Sequence, residues 1–408
     1  MGASPHSSAA IVTPGAQSLL DLYDQGQYEP AANQLHSVDD SRILDRIDAD
    51  LKDHAKAWID AAPASARRRR AFVAGAVALE LTQVLVARET WDNDRFNDRA
   101  RHPQGLPQVR KLIGAWTAKS APDALEHDYL LAELATWQHW NVSARTVAGD
   151  ELITAEPVWA LFLGKPSLFQ LSSTQLAIGA GGALGQALVR FPDDARLQLA
   201  RMEGVESIET RCAVRYCVDE GTADVMDDVR RRAASDGSTR FRDFAARNLK
   251  AMDRLLPVAA EFAQVAAAHP EVRAEADVHI GYLAIRAARP DAALAPLDTA
   301  RESDDAYVRY LAEYFTGRAL DALARPLDAA AAYRRALFVV PNAPAAAALL
   351  AVSVFGGGDT AERENAHRVL EAANAASPRP LDPWDWYWYG DARLWPTYMD
   401  RLRQDLRR

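Results

Sequence analysis

Small residues recur at intervals of 36 positions in the last third of the chain. Gly281 and Gly317 are one interval apart, and Ala293 and Ala329 repeat the same spacing. A fixed period of about 20 to 50 residues is typical of proteins that stack one helical unit many times. The same register also pairs Leu297 with Tyr333 and Ala300 with Ala336, and continues more weakly at Ser353, Val369 and Ala372. Because two helices approach closely only where small side chains meet, this spacing predicts stacked pairs of helices.

One period contains every part of a helix-turn-helix unit. Arg325-Pro326 suits the turn between two helices, and Pro341 is placed to end the second helix. This unit resembles a tetratricopeptide repeat, a family whose signature spans about 34 residues. The matching positions are Gly317, Leu320, Ala329, Tyr333, Ala336 and Pro341, whereas Glu313 and Thr316 depart from the signature. The resemblance extends over residues 274–378 and implies an all-α solenoid of antiparallel helix hairpins.

The resemblance also implies a function and a site. Members of this family bind peptides or partner domains on a concave face lined by the first helix of each repeat. The corresponding positions here are Val278, His279, Tyr282, Arg286, Tyr314, Arg318 and Asp321. Two arginines beside two tyrosines would suit an acidic or C-terminal peptide. The alternative is that these residues are ordinary solvated positions of an amphipathic helix.

Composition shifts divide the rest of the chain. The predicted parts are a flexible tail (1–15), divergent helical repeats (16–240) with an irregular insertion near 211–239, tetratricopeptide-like repeats (241–378) and a C-terminal capping segment (379–408). The capping segment is rich in aromatic residues: Trp384, Trp386, Tyr387, Trp388, Tyr389, Trp395 and Tyr398. Large aromatic side chains suit the closure of a solenoid's last exposed core. The alternative is a surface that binds a carbohydrate, peptidoglycan, a peptide or a partner chain.

Charge and hydropathy exclude several classes of protein. A net charge of −9 offers no general attraction to nucleic acid, so no nucleic-acid partner is expected. The dense basic run Arg67–Arg70 is predicted to start a helix with its side chains in water. Apolar stretches are too interrupted to span a membrane. Residues 1–14 do not resemble a secretory signal, so the sequence as given predicts a cytoplasmic protein, and export would need a start site upstream.

Motifs for catalysis, cofactors and metals are incomplete. The glycines at 179–185, Gly164-Lys165 and the acidic residues at 92–97 each lack residues that a dinucleotide, phosphate or calcium site requires. The carboxylates Glu203, Glu206 and Glu209 share a helix side and are predicted to be solvated. The chain is therefore predicted to be a non-catalytic scaffold with no cofactor and no metal. The alternative is an enzyme with its site in residues 141–240, for which Cys212, His127 and His139 are the candidate residues.

Overall fold

The structure, a computed structural model, is all-helical in the residues that it describes. These are residues 14–88, 105–147, 183–213, 255–376, 382–387 and 390–408. No strand occurs among them, which confirms the all-α prediction. None of the helices in these ranges combines the length and hydropathy needed to cross a bilayer. The predicted boundaries near residues 240 and 379, the tail up to residue 13 and residues 214–239 of the predicted insertion lie outside the described ranges.

The chain divides into two compact units, residues 1–144 with 394–408, and residues 145–393. The first unit contains α1 (Pro14–Asp24), α2 (Tyr28–Gln34), α3 (Ser41–Asp60), α4 (Ala64–Arg88), α5 (Gly105–Thr117) and most of α6 (Ala124–Val147). The second contains α7 (Ala183–Arg190), α8 (Ala195–Ala213), α9 (Leu255–Ala268), α10 (Arg273–Arg286), α11 (Pro290–Ala300), α12 (Ala306–Ala322), α13 (Pro326–Val339), α14 (Pro344–Gly357), α15 (Thr360–Ala375) and α16 (Pro383–Tyr387). The last helix, α17 (Trp395–Arg407), belongs to the first unit.

Helix α4 forms the middle of the first unit. Every residue from Ala74 to Leu85 is buried, and α4 packs against α2, α3, α5 and α17. A helix that is surrounded in this way must satisfy its polar side chains internally. The fully buried Glu80 does so by accepting from His36 Nε2 at 2.7 Å and pairing with Arg403 of α17. Helix α17 is further held by Trp395, whose Nε1 donates to Thr136 Oγ1 at 2.7 Å.

The arginine run at the start of α4 does not extend into water, so that prediction was wrong. All four side chains are partly buried. Arg67 Nε donates to the Ala62 carbonyl at 3.0 Å, and Arg70 donates to the Trp58 carbonyl at 2.9 Å. Arg68 pairs with Asp123 and Glu126, and Arg69 donates to the Asp405 carbonyl at 3.2 Å. Each of the four guanidinium groups therefore has a carbonyl or carboxylate partner within the first unit.

The 36-residue interval reappears in the packing of the second unit. Helix α10 packs on α11, and α12 packs on α13. In the first pair Gly281 lies against Leu297, and in the second Gly317 lies against Tyr333. Ala288 and Ala324, also one interval apart, both have a φ of +56° just before the Arg-Pro that starts the following helix. Gly281 and Gly317 therefore lie where the two helices of a pair approach most closely, and a larger side chain would collide with the second helix.

Adding one methyl group at Gly317 is expected to destabilise the second unit. A Cβ there would lie 2.4 Å from Cε1 of the buried Tyr333 ring. Gly317→Ala should therefore lower the free energy of unfolding by about 1–3 kcal/mol, as overpacking does. Gly356→Ala is the matched control, because no atom lies within 4 Å of its added Cβ. Urea denaturation should show the control unchanged or up to about 1 kcal/mol more stable, and equal effects of the two changes would contradict close packing at Gly317.

Candidate functional site

Most of the residues predicted to line a binding face are buried, and three of them, His279, Tyr282 and Tyr314, contact a later segment of the same chain. Five of the seven are buried: Val278, His279, Tyr282, Arg286 and Tyr314; Arg318 and Asp321 are partly exposed. The alternative, that these residues are ordinary solvated positions of a helix, is therefore wrong for the five buried ones. Residues 382–387, here named the strap, lie against Tyr282 and Tyr314. We use "the face" for the surface of α10 and α12, with the start of α14, that the strap contacts.

Aromatic rings form the centre of the contact between the strap and the face. Trp384 stacks on Tyr314 with ring centroids 5.6 Å apart and meets Phe315 edge-on at 5.5 Å. Tyr387 lies 5.2 Å from both Tyr282 and Phe315. These separations are those of favourable aromatic pairs. Trp384 and Tyr387 are both buried, so neither presents the exposed ring surface that a carbohydrate site would need.

The carboxylate of Asp382 fixes the start of the strap. Its oxygens accept hydrogen bonds from the Tyr310 hydroxyl and from the Ala345 backbone amide, both at 2.8 Å. It also accepts from the Trp384 backbone amide at 2.9 Å, which caps the short helix α16. Asp382 is 1% exposed, so these donors replace the water that a carboxylate would otherwise bind. One side chain thus connects the strap to both α12 and α14.

The other end of the strap enters a buried polar cluster. Tyr387 donates its hydroxyl to Glu206 Oε1 at 2.8 Å, and His279 Nδ1 lies 2.6 Å from Glu206 Oε2. His279 Nε2 lies 3.5 Å from Glu203. Burial lowers the pKa of His279, but the charges and hydrogen bonds of Glu206 and Glu203 outweigh it and raise that pKa to about 10. The imidazole is therefore a cation held between two carboxylates at neutral pH.

A second set of buried charges lies beside the first. Glu275 pairs with Arg196 and with Arg393, whose Nη2 is 3.0 Å from Glu275 Oε1. Burial raises the pKa of Glu275, but the two arginines outweigh it and lower that pKa to about 2. Asp391 is different, because burial and the neighbouring charge of Glu203 both raise its pKa, to about 8. The cluster therefore combines paired ions with one carboxyl group that holds its proton at pH 7.

The prediction that Glu203 and Glu206 are solvated was wrong. Glu206 is 1% exposed, because α8 packs against α9 and α10 and turns this side inward. Spacing along α8 gave no sign of this, since the partner His279 is more than 70 residues away in sequence. Gly390 approaches Glu203 so closely that an added Cβ would lie 2.1 Å from its Oε2. The side chain of Glu209 is outside the described residues.

The candidates for catalysis are not brought together in the described residues. His127 Nδ1 contacts its neighbour Asp128 at 3.3 Å in the first unit. The side chains of Cys212 and His139 lie outside the described parts of the chain. So do Trp388, Tyr389, the glycines at 179–182, Gly164-Lys165 and residues 92–97. Where side chains are described, no group of three His, Cys, Asp or Glu residues could hold a metal ion. Comparisons with protein-family models and with curated proteins gave no match.

Proposed function

We propose that this chain is a non-catalytic scaffold of the tetratricopeptide type. In this proposal α10–α15 are three successive helix hairpins of a solenoid. The recurrence of the glycine contacts at Gly281 and Gly317 and of the two strained alanines supports a repeated unit. The third unit has Ser353 at the equivalent position, where its hydroxyl donates to Asp321 of the preceding unit at 2.9 Å. Contacts between successive units are what extends a solenoid.

The function of the scaffold is to bind a segment of a protein partner on the face. The observation that carries this proposal is the strap, because the face already holds a six-residue segment. It does so by aromatic packing, by a carboxylate and by a backbone amide at Ala345. Apolar or aromatic pockets and hydrogen bonds to backbone groups are recurring means of recognising a peptide. Arg318 lies on the same helix as Tyr314 and is partly exposed, so its side chain can meet a bound segment.

A peptide-binding experiment tests this proposal. Peptides selected from a random library against the full chain are expected to bind with dissociation constants on the order of 1 μM, a binding free energy of about −8 kcal/mol. Arg318→Ala should weaken binding about tenfold, because arginine is among the residues whose truncation most often costs binding energy. Arg363→Ala, at an exposed arginine of α15, is the matched control and should change binding less than about twofold. Fluorescence anisotropy measures peptide binding to the wild-type chain and to both variants. Equal losses of affinity in the two variants would contradict binding at the face.

A further inference from the structure

The strap has the properties of a ligand rather than of a repeat. Helix α16 has five residues, too few for a helix that is stable alone. Its helical turn therefore depends on the face and on the cap that Asp382 supplies to Trp384. Side chains at positions 1, 3 and 6 of the strap, Asp382, Trp384 and Tyr387, make its polar and aromatic anchors.

Each anchor meets a site of defined chemistry. The Tyr310 hydroxyl and the Ala345 amide both donate to a carboxylate. Tyr314 and Phe315 enclose a large flat ring. Glu206 accepts the phenolic hydroxyl of Tyr387. A segment from another protein could reproduce all three contacts with the same side chains at the same spacing.

We infer that the strap is a displaceable stand-in for the partner, and that the partner presents an acidic residue, a tryptophan two positions later and a tyrosine three positions after that. This inference rests on the proposed function and names the class of peptide. Because the strap belongs to the same chain, its effective concentration at the face is high, on the order of millimolar for a short linker. The partner must therefore compete with the strap, and its apparent association constant is the intrinsic one multiplied by the fraction of chains in which the strap is released.

Hydrogen exchange on the intact wild-type chain tests the inference. The Trp384 and Trp386 amides, which donate to Asp382 Oδ1 and to its carbonyl, report on the strap. A synthetic peptide with the sequence of residues 380–393, labelled with heavy isotopes to separate its mass from that of the chain, is the competitor. We expect the strap to detach while α10 and α12 stay folded. The two strap amides should therefore exchange at least about 100-fold faster than the amides of α12.

Adding the peptide should raise the exchange rate of the two amides further, while α10 and α12 remain protected. A control peptide with Asp382→Asn and Trp384→Ala should have no effect. Strap amides that exchange only together with α12 would overturn the inference, because the strap would then be part of the core. Library peptides that bind at the face without speeding strap exchange would also overturn it, and would leave the proposed function standing.

A variant supplies the complementary measurement. Full-length Trp384→Ala should bind the labelled peptide at least about tenfold more tightly than wild type, because its own strap competes less well. Circular dichroism shows whether the variant has kept its helices. The hydrogen-exchange experiment uses the wild-type chain, so it does not depend on the folding of this variant. A helical variant that binds the peptide no better than wild type would contradict displacement.

Discussion

Replacing Glu275 with alanine is expected to lower the free energy of unfolding of the second unit by about 3–5 kcal/mol. Glu275 is 5% exposed and lies between the guanidinium groups of Arg196 and Arg393. The loss is large because removal of one carboxylate leaves two arginines without that partner in a poorly hydrated region. The low pKa of Glu275, about 2, has the same cause, since it reports how strongly the arginines favour the ionised form.

Glu302→Ala is the matched control for this experiment. Glu302 is exposed just after the end of α11, where loss of a solvated carboxylate should change stability by less than about 0.5 kcal/mol. Urea denaturation followed by circular dichroism measures both variants. Glu275→Gln adds a third point, because it keeps the shape and removes the charge, and it should lie between wild type and Glu275→Ala. Similar stability of the Glu275 and Glu302 variants would show that the buried ion pairs contribute little.

The sequence alone predicted the local features of the second unit. Gly281 and Gly317 indicated close approach of helices, and each indeed lies against a bulky side chain of the next helix. Pro326 was placed at a turn, and α13 begins there. These features depend on residues fewer than about 40 positions apart, so periodicity and turn chemistry suffice to predict them.

The polar cluster could not be predicted in the same way. Glu206, His279 and Tyr387 are separated by 73 and 108 residues, and only the packing of α8 on α10 brings them together. Along α8, carboxylates three residues apart with nearby arginines look the same whether the helix side faces water or protein. Burial decides between these cases, and burial depends on the tertiary arrangement.

The candidate face was predicted in part for a related reason. Its residues, such as Tyr282 and Tyr314, were identified from their positions in a repeat. That the strap contacts them was not foreseen, although the concentration of aromatic residues after Asp382 was the signal available. Aromatic side chains indicate that a segment is buried but do not specify against what. Whether a partner also occupies the face stays a prediction.

Raising the pH from about 6.5 to 8 is expected to destabilise the second unit steeply. The folded unit keeps a proton on Asp391 up to a pKa of about 8, whereas an unfolded Asp loses it near 3.8. It also keeps the proton on His279 up to a pKa of about 10, against 6.5 when unfolded. In both cases the folded state binds more protons, so the free energy of unfolding falls as pH rises.

The windows of the two groups overlap between pH 6.5 and 8. The stabilisation from Asp391 is complete below about pH 4 and is lost as pH rises to about 8; that from His279 is complete below 6.5 and is lost as pH rises to about 10. Each contributes a slope of about 1.4 kcal/mol per pH unit inside its window. Glu275 has the opposite pH dependence. The stabilisation from its ionised form is complete above about pH 4.5 and is lost as the pH falls to about 2. Stability attributable to this cluster is therefore greatest at about pH 4.

Asp391→Asn separates the two contributions, because an amide cannot ionise. Relative to wild type, this variant should gain stability steadily between pH 5 and 8, by up to several kcal/mol at about 1.4 kcal/mol per unit, and the difference should then level off. The remaining decline above pH 8 belongs to His279. Asp304→Asn, at an exposed position just before α12, is the control and should follow the wild-type profile. Urea denaturation across this pH range measures the difference, and parallel profiles for wild type and Asp391→Asn would mean that Asp391 is already ionised in the folded unit.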